Sequence, residues 1–498
     1  MPDPAPPKHA ISEPCPEPFN LAQYVLAAGR TQLDKIALAI VDPGGSERWS
    51  YDRLSQAVER MAGALSQCAD PGDFVLLRLA NTPGFPIAFL ASIWAGLVPV
   101  PTAAGLTKPE ITALASRLPI RLILADPGLS LPDVSAPVIP DPSALSGAPI
   151  PPNLGSADRL AYAVFTSGSS GDAKAVAHAH RAIWARRMMR QGWDGIGPDD
   201  RVMHSGAFNW TYTLGTGLLD PWSVGATAVI PREGTDPQTL PLLLKRHDIT
   251  IFASVPGIYR KILKQSTAQI LPKLRHGLSA GEALSVDLRE TWEAATGTAI
   301  HEALGMSECS TYLSSAPGRP APRGSTGYVQ SGRAVAVLDL GPGGVGELAI
   351  REDEMGLMLG YLDEAGQPHL RLDDGWFRTG DLVRQAEDGA IATAGRRDDL
   401  ITAGGFRIAP QEIEAAFEGL GSCAAFSAPL TSGAFVVALA VEGAFSEDDA
   451  RARAEACLAA YKRPRIYIPC AALPRNPNGK LNRRALTELW PELSKAHK

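Results

Sequence analysis

A loop rich in glycine and hydroxyl side chains is the segment of this sequence best suited to bind an anion. It follows an apolar stretch that ends at Phe165, and Lys174 comes shortly after it. Its residues are Thr166, Ser167, Gly168, Ser169, Ser170 and Gly171. Glycines let backbone N–H groups turn toward a phosphate, hydroxyls donate to its oxygens, and a lysine neutralises its charge. The spacing excludes a Walker loop, because G-x-x-x-x-G-K-[ST] is absent. From composition alone, a flexible Gly/Ser loop without a ligand is an equally good interpretation of this segment.

Two carboxylates and two basic residues further along the chain could also serve a nucleotide. Glu308 follows Ser307, and such a pair can bind Mg²⁺ through the carboxylate and a phosphate oxygen through the hydroxyl. Asp381 and Arg396 each follow a glycine, and Lys480 lies in a short Asn-Gly turn. Taken singly, each has an ordinary explanation as a solvated turn or a weak surface ion pair. Their order along the chain therefore decides the interpretation.

Seven short motifs, including these residues, follow one another in an order that is typical of one superfamily. They are Thr166–Lys174, Ser279–Leu284, Leu304–Glu308, Gly375–Asp381, Gly395–Asp398, Gly404–Ile408 and Pro477–Lys480. The series resembles the adenylate-forming superfamily of acyl-CoA synthetases, peptide-synthetase adenylation domains and luciferases, from roughly residue 20 to the end. SAGEAL followed by LGMSE is most similar to benzoate-type CoA ligases. The departures in the phosphate loop are mild: Ala173 stands for the usual proline and Ala175 for the usual glycine, while His180 matches the usual histidine.

The resemblance implies which residues bind ATP and Mg²⁺. The nucleotide-binding residues would be 166–171, Lys174, Ala280, Gly281, Glu282, Asp381 and Arg396. Asp381 would accept hydrogen bonds from both ribose hydroxyls, and Arg396 would hold ribose or phosphate oxygens. Glu308 would bind the metal and Ser307 a phosphate oxygen. Lys480 would act in the first half-reaction, where it bridges the substrate carboxylate and the α-phosphate as charge builds.

The resemblance also implies a second half-reaction, in which a thiol takes the acyl group. Gly404, Gly405 and Arg407 match the loop that family members swing into the site, and Asp398 would be the pivot between two domains. CoA is the expected thiol, because only eighteen residues follow Lys480 and none form a carrier-domain serine motif. The alternative is a stand-alone enzyme that loads an acyl group onto a separate carrier protein.

The acyl group is expected beside a segment rich in aromatic residues. The residues of this expected pocket are Phe208, Trp210, Tyr212, Leu304, Gly305 and Met306. Amino-acid-activating relatives pair the substrate ammonium with an aspartate where this chain has Asn209. Since an unpaired buried ammonium is costly, an α-amino acid is disfavoured, and an aryl or compact apolar acid is favoured. The aromatics could also be plain core residues.

Alternating helical and strand patterns must position these motifs. Tyr51 to Cys68 has apolar residues at helical spacing, and Phe74 to Leu79 is a short apolar run that suits a buried strand. The rhythm returns between Gly225 and Ala253, which favours parallel sheets covered by helices. We expect an α/β protein with a large N-terminal domain of two βα-layered sheets plus a small β-barrel subdomain. A small, mobile α+β C-terminal domain completes the expected fold.

The expected domain boundaries follow from changes in composition. Residues 1–19 are rich in proline and predict a disordered arm. Residues 20–396 would form the AMP-binding domain, with the β subdomain over roughly 320–396. Residues 398–498 would form the mobile domain that carries Lys480.

Composition excludes several classes of partner. The chain has 498 residues with 47 Lys+Arg against 53 Asp+Glu, a net charge of −6, and no basic block. Such a charge balance offers no footprint for nucleic acid or an acidic membrane surface. The six cysteines form no Cys-x-x-Cys pair, which indicates free thiols in a reducing compartment. A cytoplasmic protein, as a monomer or homodimer, is the expectation.

These observations together predict an ATP-dependent carboxylate–CoA ligase. It would activate an acid as acyl-AMP with release of pyrophosphate, then transfer the acyl group to CoA with release of AMP. The alternative from another class is a non-catalytic homologue that binds a nucleotide or an acyl-adenylate. The presence of Lys480, Glu308 and Asp381 argues against that alternative.

Overall fold

The chain divides into two compact units. One unit comprises Met1–Val335 with Ile350–Phe377, and the other comprises Ala336–Ala349 with Arg378–Lys498. The computed structural model describes residues 13–166, 173–264, 270–341, 344–397, 401–403, 406–408, 410–429, 435–458, 460–476 and 481–496. The predicted boundary at residues 396–398 separates a mobile domain from the rest of the chain. A division into compact units does not test mobility, so this boundary stays a prediction.

Strands make up much of the described chain. In chain order, β1 to β26 are Ile36–Asp42, Gly45–Ser50, Phe74–Arg78, Val98–Pro101, Ile120–Ala125, Val138–Pro140, Leu160–Thr166, Lys174–Ala179, Arg201–His204, Thr227–Pro231, Ile251–Ser254, His276–Ala280, Ile300–Met306, Ser310–Ser314, Tyr328–Val329, Val335–Leu338, Val345–Arg351, Gly360–Leu362, Pro368–His369, Trp376–Gln385, Ile391–Arg396, Ile401–Ala403, Phe406–Ile408, Cys423–Pro429, Phe435–Glu442 and Ile466–Cys470.

Helices connect and cover these strands. In chain order, α1 to α13 are Leu21–Ala27, Tyr51–Leu65, Gly84–Trp94, Lys108–Ala115, Ala182–Ala185, Arg187–Met189, Asp220–Ser223, Leu240–Arg246, Pro256–Leu263, Val286–Thr296, Pro410–Ala416, Glu447–Cys457 and Arg483–Ala496. Single 3₁₀ turns occur at Ala28–Thr31, Pro142–Ala144, Pro237–Thr239 and Ala460–Lys462, and π-helical segments at Arg190–Asp194 and Thr213–Leu219. No helix among these described residues is long and apolar enough to cross a membrane.

Local sequence explains the elements that were predicted. The side chain of Ser50 accepts a hydrogen bond from the Arg53 amide and caps α2, whose apolar residues at helical spacing are buried. All five residues of β3 are buried, as expected for a central parallel strand. The helix over Tyr51 to Cys68 and the strand over Phe74 to Leu79 are therefore confirmed, with ends shifted by one to three residues.

A nine-stranded sheet dominates the first unit, in the order β15-β14-β13-β12-β11-β9-β10-β1-β2. The strands β13, β12, β11, β9, β10 and β1 run parallel, while β14, β15 and β2 are antiparallel to their neighbours. Because β9, β11, β12 and β13 are parallel, their carboxyl ends meet at one edge. Open α/β sheets bind their ligands outside such an edge.

Two smaller sheets complete the first unit. The parallel sheet has the order β4-β3-β5-β6, and the antiparallel sheet has the order β19-β18-β8-β7. The second of these brings β18 beside β8, a pairing between distant segments that the sequence did not predict. The mixed α/β character with several sheets is confirmed.

The second unit contains a four-stranded sheet, a hairpin and an α+β segment. The sheet has the order β16-β17-β20-β21, the hairpin joins β22 to β23, and β24-β25-β26 form a three-stranded sheet. Ala425, Leu439 and Tyr467 lie in one buried core of this last segment, together with Ile413 of α11 and Ala450 of α12. Strands β17, β20 and β21 lie within the range of roughly 320–396 over which a β subdomain was expected.

The prediction of a disordered arm over residues 1–19 is wrong for residues 13–19. Phe19 is buried, and its ring packs against Tyr24 and Trp184 at centroid distances of 5.6 and 6.3 Å. The Trp184 indole N–H donates to the Glu13 carbonyl at 2.8 Å. An aromatic anchor therefore orders the end of this Pro-rich segment. Residues 1–12 lie outside the described part of the chain.

Candidate active site

Two of the predicted motifs, Ser279–Leu284 and Leu304–Glu308, lie at the carboxyl edge of the nine-stranded sheet. Ala280, the last residue of β12, is the register partner of Ala303 on β13, and Gly281 follows with a φ of +92°. A positive φ is easy only for glycine, so the sequence Ala-Gly-Glu turns the backbone away from the sheet at Gly281. Glu282 comes next and is half-buried. The segment Ala280–Glu282, predicted to bind the nucleotide, therefore lies beside the start of the predicted acyl residues Leu304–Met306.

Glu308 lies in the turn between β13 and β14 and is almost fully buried. Its Oε1 atom accepts a hydrogen bond from the Tyr361 hydroxyl at 2.8 Å. Its backbone carbonyl accepts from the Met358 amide at 2.8 Å. Ser307, beside it, is half-buried. The carboxylate predicted to bind Mg²⁺ is thus held in place by a tyrosine that the sequence analysis did not identify.

Tyr361 also contacts the lysine of the phosphate loop. The Lys174 ammonium lies 4.7 Å from the centroid of the Tyr361 ring, a cation–π distance. Both residues belong to the same sheet, since Tyr361 on β18 is the register partner of Val176 on β8. Lys174, Tyr361 and Glu308 therefore form a continuous row of contacts. Thr166, the first residue of the predicted loop, is the register partner of Lys174.

The residues present fit a magnesium ion that is held mainly by the nucleotide. Among the described residues, no group of three or more His, Cys, Asp or Glu side chains is close enough to hold a metal. Magnesium usually keeps several waters and takes one or two carboxylates plus substrate phosphates. Glu308 supplies one such carboxylate, whose Oε1 accepts the hydrogen bond from Tyr361.

Two aromatic residues of the expected acyl segment reach the sheet edge. The Trp210 and Tyr212 rings are nearly perpendicular at 5.2 Å. Tyr212 donates a hydrogen bond from its hydroxyl to the Leu278 carbonyl at 3.1 Å and belongs to the same buried cluster as Ala280 and Ala303. Leu304, Gly305 and Met306 follow on β13 and are half-buried.

Phe208, by contrast, packs away from this group. Its ring stacks on Phe85 at 5.2 Å in a different core cluster. Its amide donates to Asn81 Oδ1 at 2.9 Å. The structure therefore supports the core interpretation for Phe208, whereas Trp210 and Tyr212 stay with the acyl segment.

The second unit brings Asp381 and Arg396 together on neighbouring strands. They are register partners on β20 and β21, and Arg396 Nη1 lies 3.2 Å from Asp381 Oδ1. Arg396 also donates to the Thr379 carbonyl at 3.0 Å. The pair predicted to bind ribose and phosphate is thus assembled on one hairpin.

Glu347 binds two residues of this hairpin region, Gly380 and Arg397. The sequence did not identify it as a site residue. Its Oε1 accepts a hydrogen bond from the Gly380 amide at 2.9 Å, and its Oε2 lies 2.7 Å from Arg397 Nη2. Its exposed fraction is only 2%. A glutamate within an apolar strand segment such as Gly346–Ile350 is the signal that could have marked it, because a buried carboxylate needs partners.

Several predicted residues lie outside the described residues. They are Ser167, Gly168, Ser169, Ser170, Gly171, Asp398, Gly404, Gly405 and Lys480. The backbone of Arg407 is described, as part of β23.

His180, which the sequence matched to the usual histidine of the family, and Cys309, which follows Glu308, both have structural explanations. His180 Nδ1 accepts a hydrogen bond from the Leu21 amide at 3.0 Å, and burial lowers the pKa of His180 to about 3. Cys309 is fully buried, and burial raises the pKa of its thiol well above the usual range. A thiol of this kind is not a ready nucleophile.

Comparison with known proteins decides the family. The family model of the AMP-binding enzymes matches residues 26–362, more than half of the chain. The chain belongs to the AMP-binding enzyme family. It is 26% identical over 494 residues to the 3-hydroxybenzoate–CoA ligase of Aromatoleum sp. (strain CIB), with 90% of this chain and 92% of that protein covered.

Solved structures of this family share the fold over nearly the whole chain. A benzoate CoA ligase from Burkholderia xenovorans LB400 is 26% identical with a TM-score of 0.82, covering 94% of this chain and 100% of that chain. The O-succinylbenzoate coenzyme A synthetase of Bacillus subtilis, solved in complex with ATP and a magnesium ion, is 20% identical with a TM-score of 0.81, covering 93% of this chain and 99% of that chain.

Proposed function

We propose that this AMP-forming acid–CoA ligase acts on an aryl or compact apolar carboxylic acid. The observation that carries the proposal is the position of Trp210 and Tyr212, whose rings contact each other at the carboxyl edge beside Ala280 and Ala303. Two aromatic rings suit a flat apolar group. The similarity to ligases named for 3-hydroxybenzoate and benzoate supports the same class of acid.

The first half-reaction joins the acid to AMP. A carboxylate oxygen attacks the α-phosphorus of ATP, a new O–P bond forms, and the bond from the α-phosphorus to the bridging oxygen breaks as pyrophosphate leaves. We assign Lys174 and the loop 166–171 to the phosphates, and Lys480 to the carboxylate and α-phosphate. Mg²⁺ bound at Glu308 would supply positive charge at the phosphates. The protein contributes positioning and charge stabilisation rather than a covalent intermediate.

Asp381 and Arg396 are assigned to the ribose end of the nucleotide. Arg396 occupies one side of the Asp381 carboxylate, and a carboxylate can accept several hydrogen bonds at once. Arg396 also offsets the negative charge of the Asp381 carboxylate at this position. Ala280, Gly281 and Glu282 are assigned to the adenine.

The second half-reaction transfers the acyl group to CoA. The thiol sulfur attacks the acyl carbon, a C–S bond forms, and AMP leaves with the former carboxylate oxygen. We assign Gly404, Gly405 and Arg407 to the approach of CoA, and Asp398 to the pivot of a mobile domain over residues 398–498. The β-barrel form of the subdomain, the cytoplasmic location and the monomer or homodimer state stay predictions.

Release of AMP that depends on both acid and CoA tests the proposed substrate class. Benzoates, phenylacrylates, short fatty acids and long-chain fatty acids are supplied one at a time with ATP, Mg²⁺ and CoA, and AMP and acyl-CoA are quantified. The proposal expects a benzoate or another compact acid to give the highest kcat/KM. A clear preference for long-chain acids would contradict it. Adenylate formation without any acyl-CoA would favour the carrier-protein alternative.

A further inference from the structure

A buried histidine at the carboxyl edge has one ring nitrogen without a partner. His204 is the last residue of β9, is 1% exposed, and was not identified by the sequence analysis. Its ring contacts those of Tyr212 at 4.3 Å and Trp210 at 6.2 Å. Ala253, its register partner on β11, shares its sheet face. His204 thus lies within the aromatic group assigned to the acyl substrate.

The hydrogen bonds of His204 determine which nitrogen carries the proton. The Gly206 amide donates to Nδ1 at 3.0 Å, and a backbone N–H can only donate, so Nδ1 must be an acceptor. The Thr213 hydroxyl lies 3.3 Å from the same nitrogen. Burial lowers the pKa of His204 to about 3, so the ring is neutral near pH 7. The proton therefore sits on Nε2.

Nε2 has no hydrogen-bond partner among the residues that the structure describes. Buried donors are nearly always paired in folded proteins, and an unpaired one is costly. The planes of the Tyr212 ring and the imidazole are nearly perpendicular, at 81°. A weak N–H···π contact is the alternative partner for Nε2 that needs no ligand. An acceptor atom on a bound substrate would satisfy the donor better.

We infer that His204 is a specificity-determining residue whose Nε2–H donates to an acceptor oxygen on the acyl substrate, remote from the reacting carboxylate. The preferred acid then carries a hydroxyl, ether or carbonyl oxygen in addition to its apolar body. This inference rests on the proposed function, because it assumes that the Trp210 and Tyr212 segment receives the acid. The inference narrows the proposed substrate class to apolar acids that carry one hydrogen-bond acceptor oxygen besides the carboxylate.

Pairs of acids that differ only by an oxygen test this inference. The three methoxybenzoate isomers are compared with the matching ethylbenzoates, and 4-methoxybutanoate with hexanoate, as kcat/KM in acid-dependent ATP–pyrophosphate exchange. A purely apolar pocket favours the alkyl member, because the ether must lose its hydration without compensation. The inference expects the ether member of at least one pair to be preferred about tenfold. The ratio within a pair cancels any general loss of activity.

Two substitutions of His204 separate its two nitrogens. His204→Asn keeps an acceptor near Nδ1 and removes the distant donor, so we expect the ether preference to fall to within twofold of unity. His204→Gln places an amide N–H near the Nε2 position, and we expect it to keep most of the preference. Absence of an ether preference in every pair for the wild type, or an ether preference that His204→Asn leaves intact, would overturn the inference alone. Absence of exchange with every acid would overturn the proposed acyl class and the inference with it.

Discussion

At the scale of single residues, the site depends on how charged groups are held. The sequence identified Glu308 and Lys174 through their motifs, because the chemistry of phosphate and metal binding demands those residue types. It could not identify Tyr361, whose hydroxyl binds Glu308 and whose ring lies under Lys174. That contact exists only because β18 pairs with β8, and pairing between distant strands leaves no local pattern.

Replacing Tyr361 with phenylalanine tests this row of contacts. The substitution removes the hydroxyl that donates to Glu308 and keeps the ring beneath Lys174. A hydrogen bond to a charged group contributes about 1.5–3 kcal/mol, and we expect kcat/KM for ATP to fall at least tenfold, with weaker dependence on Mg²⁺. Exchange kinetics at varied ATP and Mg²⁺ measure the effect. Tyr24→Phe, in the aromatic cluster with Phe19, is the control, and equal losses in both variants would refute the role.

His180 gives a second prediction at this scale. Its pKa is about 3 in the folded protein against about 6.5 for a free histidine. The unfolded chain therefore binds a proton below pH 6.5 that the native protein does not, so this stability is present above pH 6.5 and is lost as the pH falls toward 3. His180→Asn keeps an acceptor for the Leu21 amide and cannot titrate. As the pH falls, we expect the unfolding free energy of this variant to decrease less steeply than that of the wild type. The two slopes should differ by up to about 1.4 kcal/mol per pH unit.

Urea unfolding at pH 7.5, 6, 5 and 4.5 measures this slope for wild type and variant. Similar stabilities at pH 7.5 would show that the substitution preserves the packing at the start of α1. Parallel profiles at all four pH values would contradict the account of His180 as a neutral acceptor.

At the scale of elements, the parallel strands bring the motifs to one edge. Helix α2 was predictable because its apolar residues recur about every 3.6 residues, and strand β3 because its apolar residues form a short continuous run. Both predictions are confirmed. Phe208 was assigned to the acyl segment because it is two residues from Trp210. It packs on Phe85 instead, since side chains close in sequence turn to different cores once the backbone leaves β9.

Gly305 allows β13 and β14 to approach closely beside Glu308. A Cβ atom at this position would lie 2.4 Å from the Ser310 carbonyl oxygen and 2.6 Å from the Thr311 Cα. These are backbone atoms, so Gly305→Ala must displace a strand, and overpacking of this kind costs about 1–3 kcal/mol. We expect lower stability together with a fall in exchange rate larger than tenfold, because the turn that carries Glu308 moves.

Gly257→Ala is the matched control for this substitution. Apart from its chain neighbours and the backbone of its own helix, no atom of the described residues lies within 4 Å of a Cβ built at Gly257, in the first turn of α9. We expect that variant to keep wild-type activity and to gain up to about 1 kcal/mol of stability. Urea unfolding measures the stability of both variants, and ATP–pyrophosphate exchange measures their activity. A Gly305→Ala protein with wild-type stability and activity would show that the close approach of β13 and β14 does not require glycine at this position.

At the scale of the whole molecule, the order of seven motifs predicted the family, whereas composition did not. A net charge of −6 gives no hint of a polyanionic ligand, because phosphate affinity resides in a few local groups. The limits of the two compact units were not predictable either. Strands β17 and β20 each pass from one unit to the other along their length, and no change of composition marks those points.

The assignment of the two half-reactions to different motifs predicts separable defects. Lys480→Ala should lower acyl-AMP formation at least a hundredfold, in line with the loss of a transition-state charge partner, while thioester formation from supplied acyl-AMP and CoA stays within about threefold. Gly405→Ala should show the opposite pattern. Single-turnover assays of each step measure both. Equal losses in the two steps for Lys480→Ala would mean that the lysine acts structurally.

Acid-dependent ATP–pyrophosphate exchange tests the central claim most directly. Labelled pyrophosphate should enter ATP only when a suitable carboxylic acid is present, without any need for CoA, and Glu308→Gln should reduce the rate by more than a hundredfold. That result would establish reversible formation of an acyl-adenylate at the site described. Exchange that is absent with every acid of a broad panel, or that proceeds equally without acid, would contradict the account.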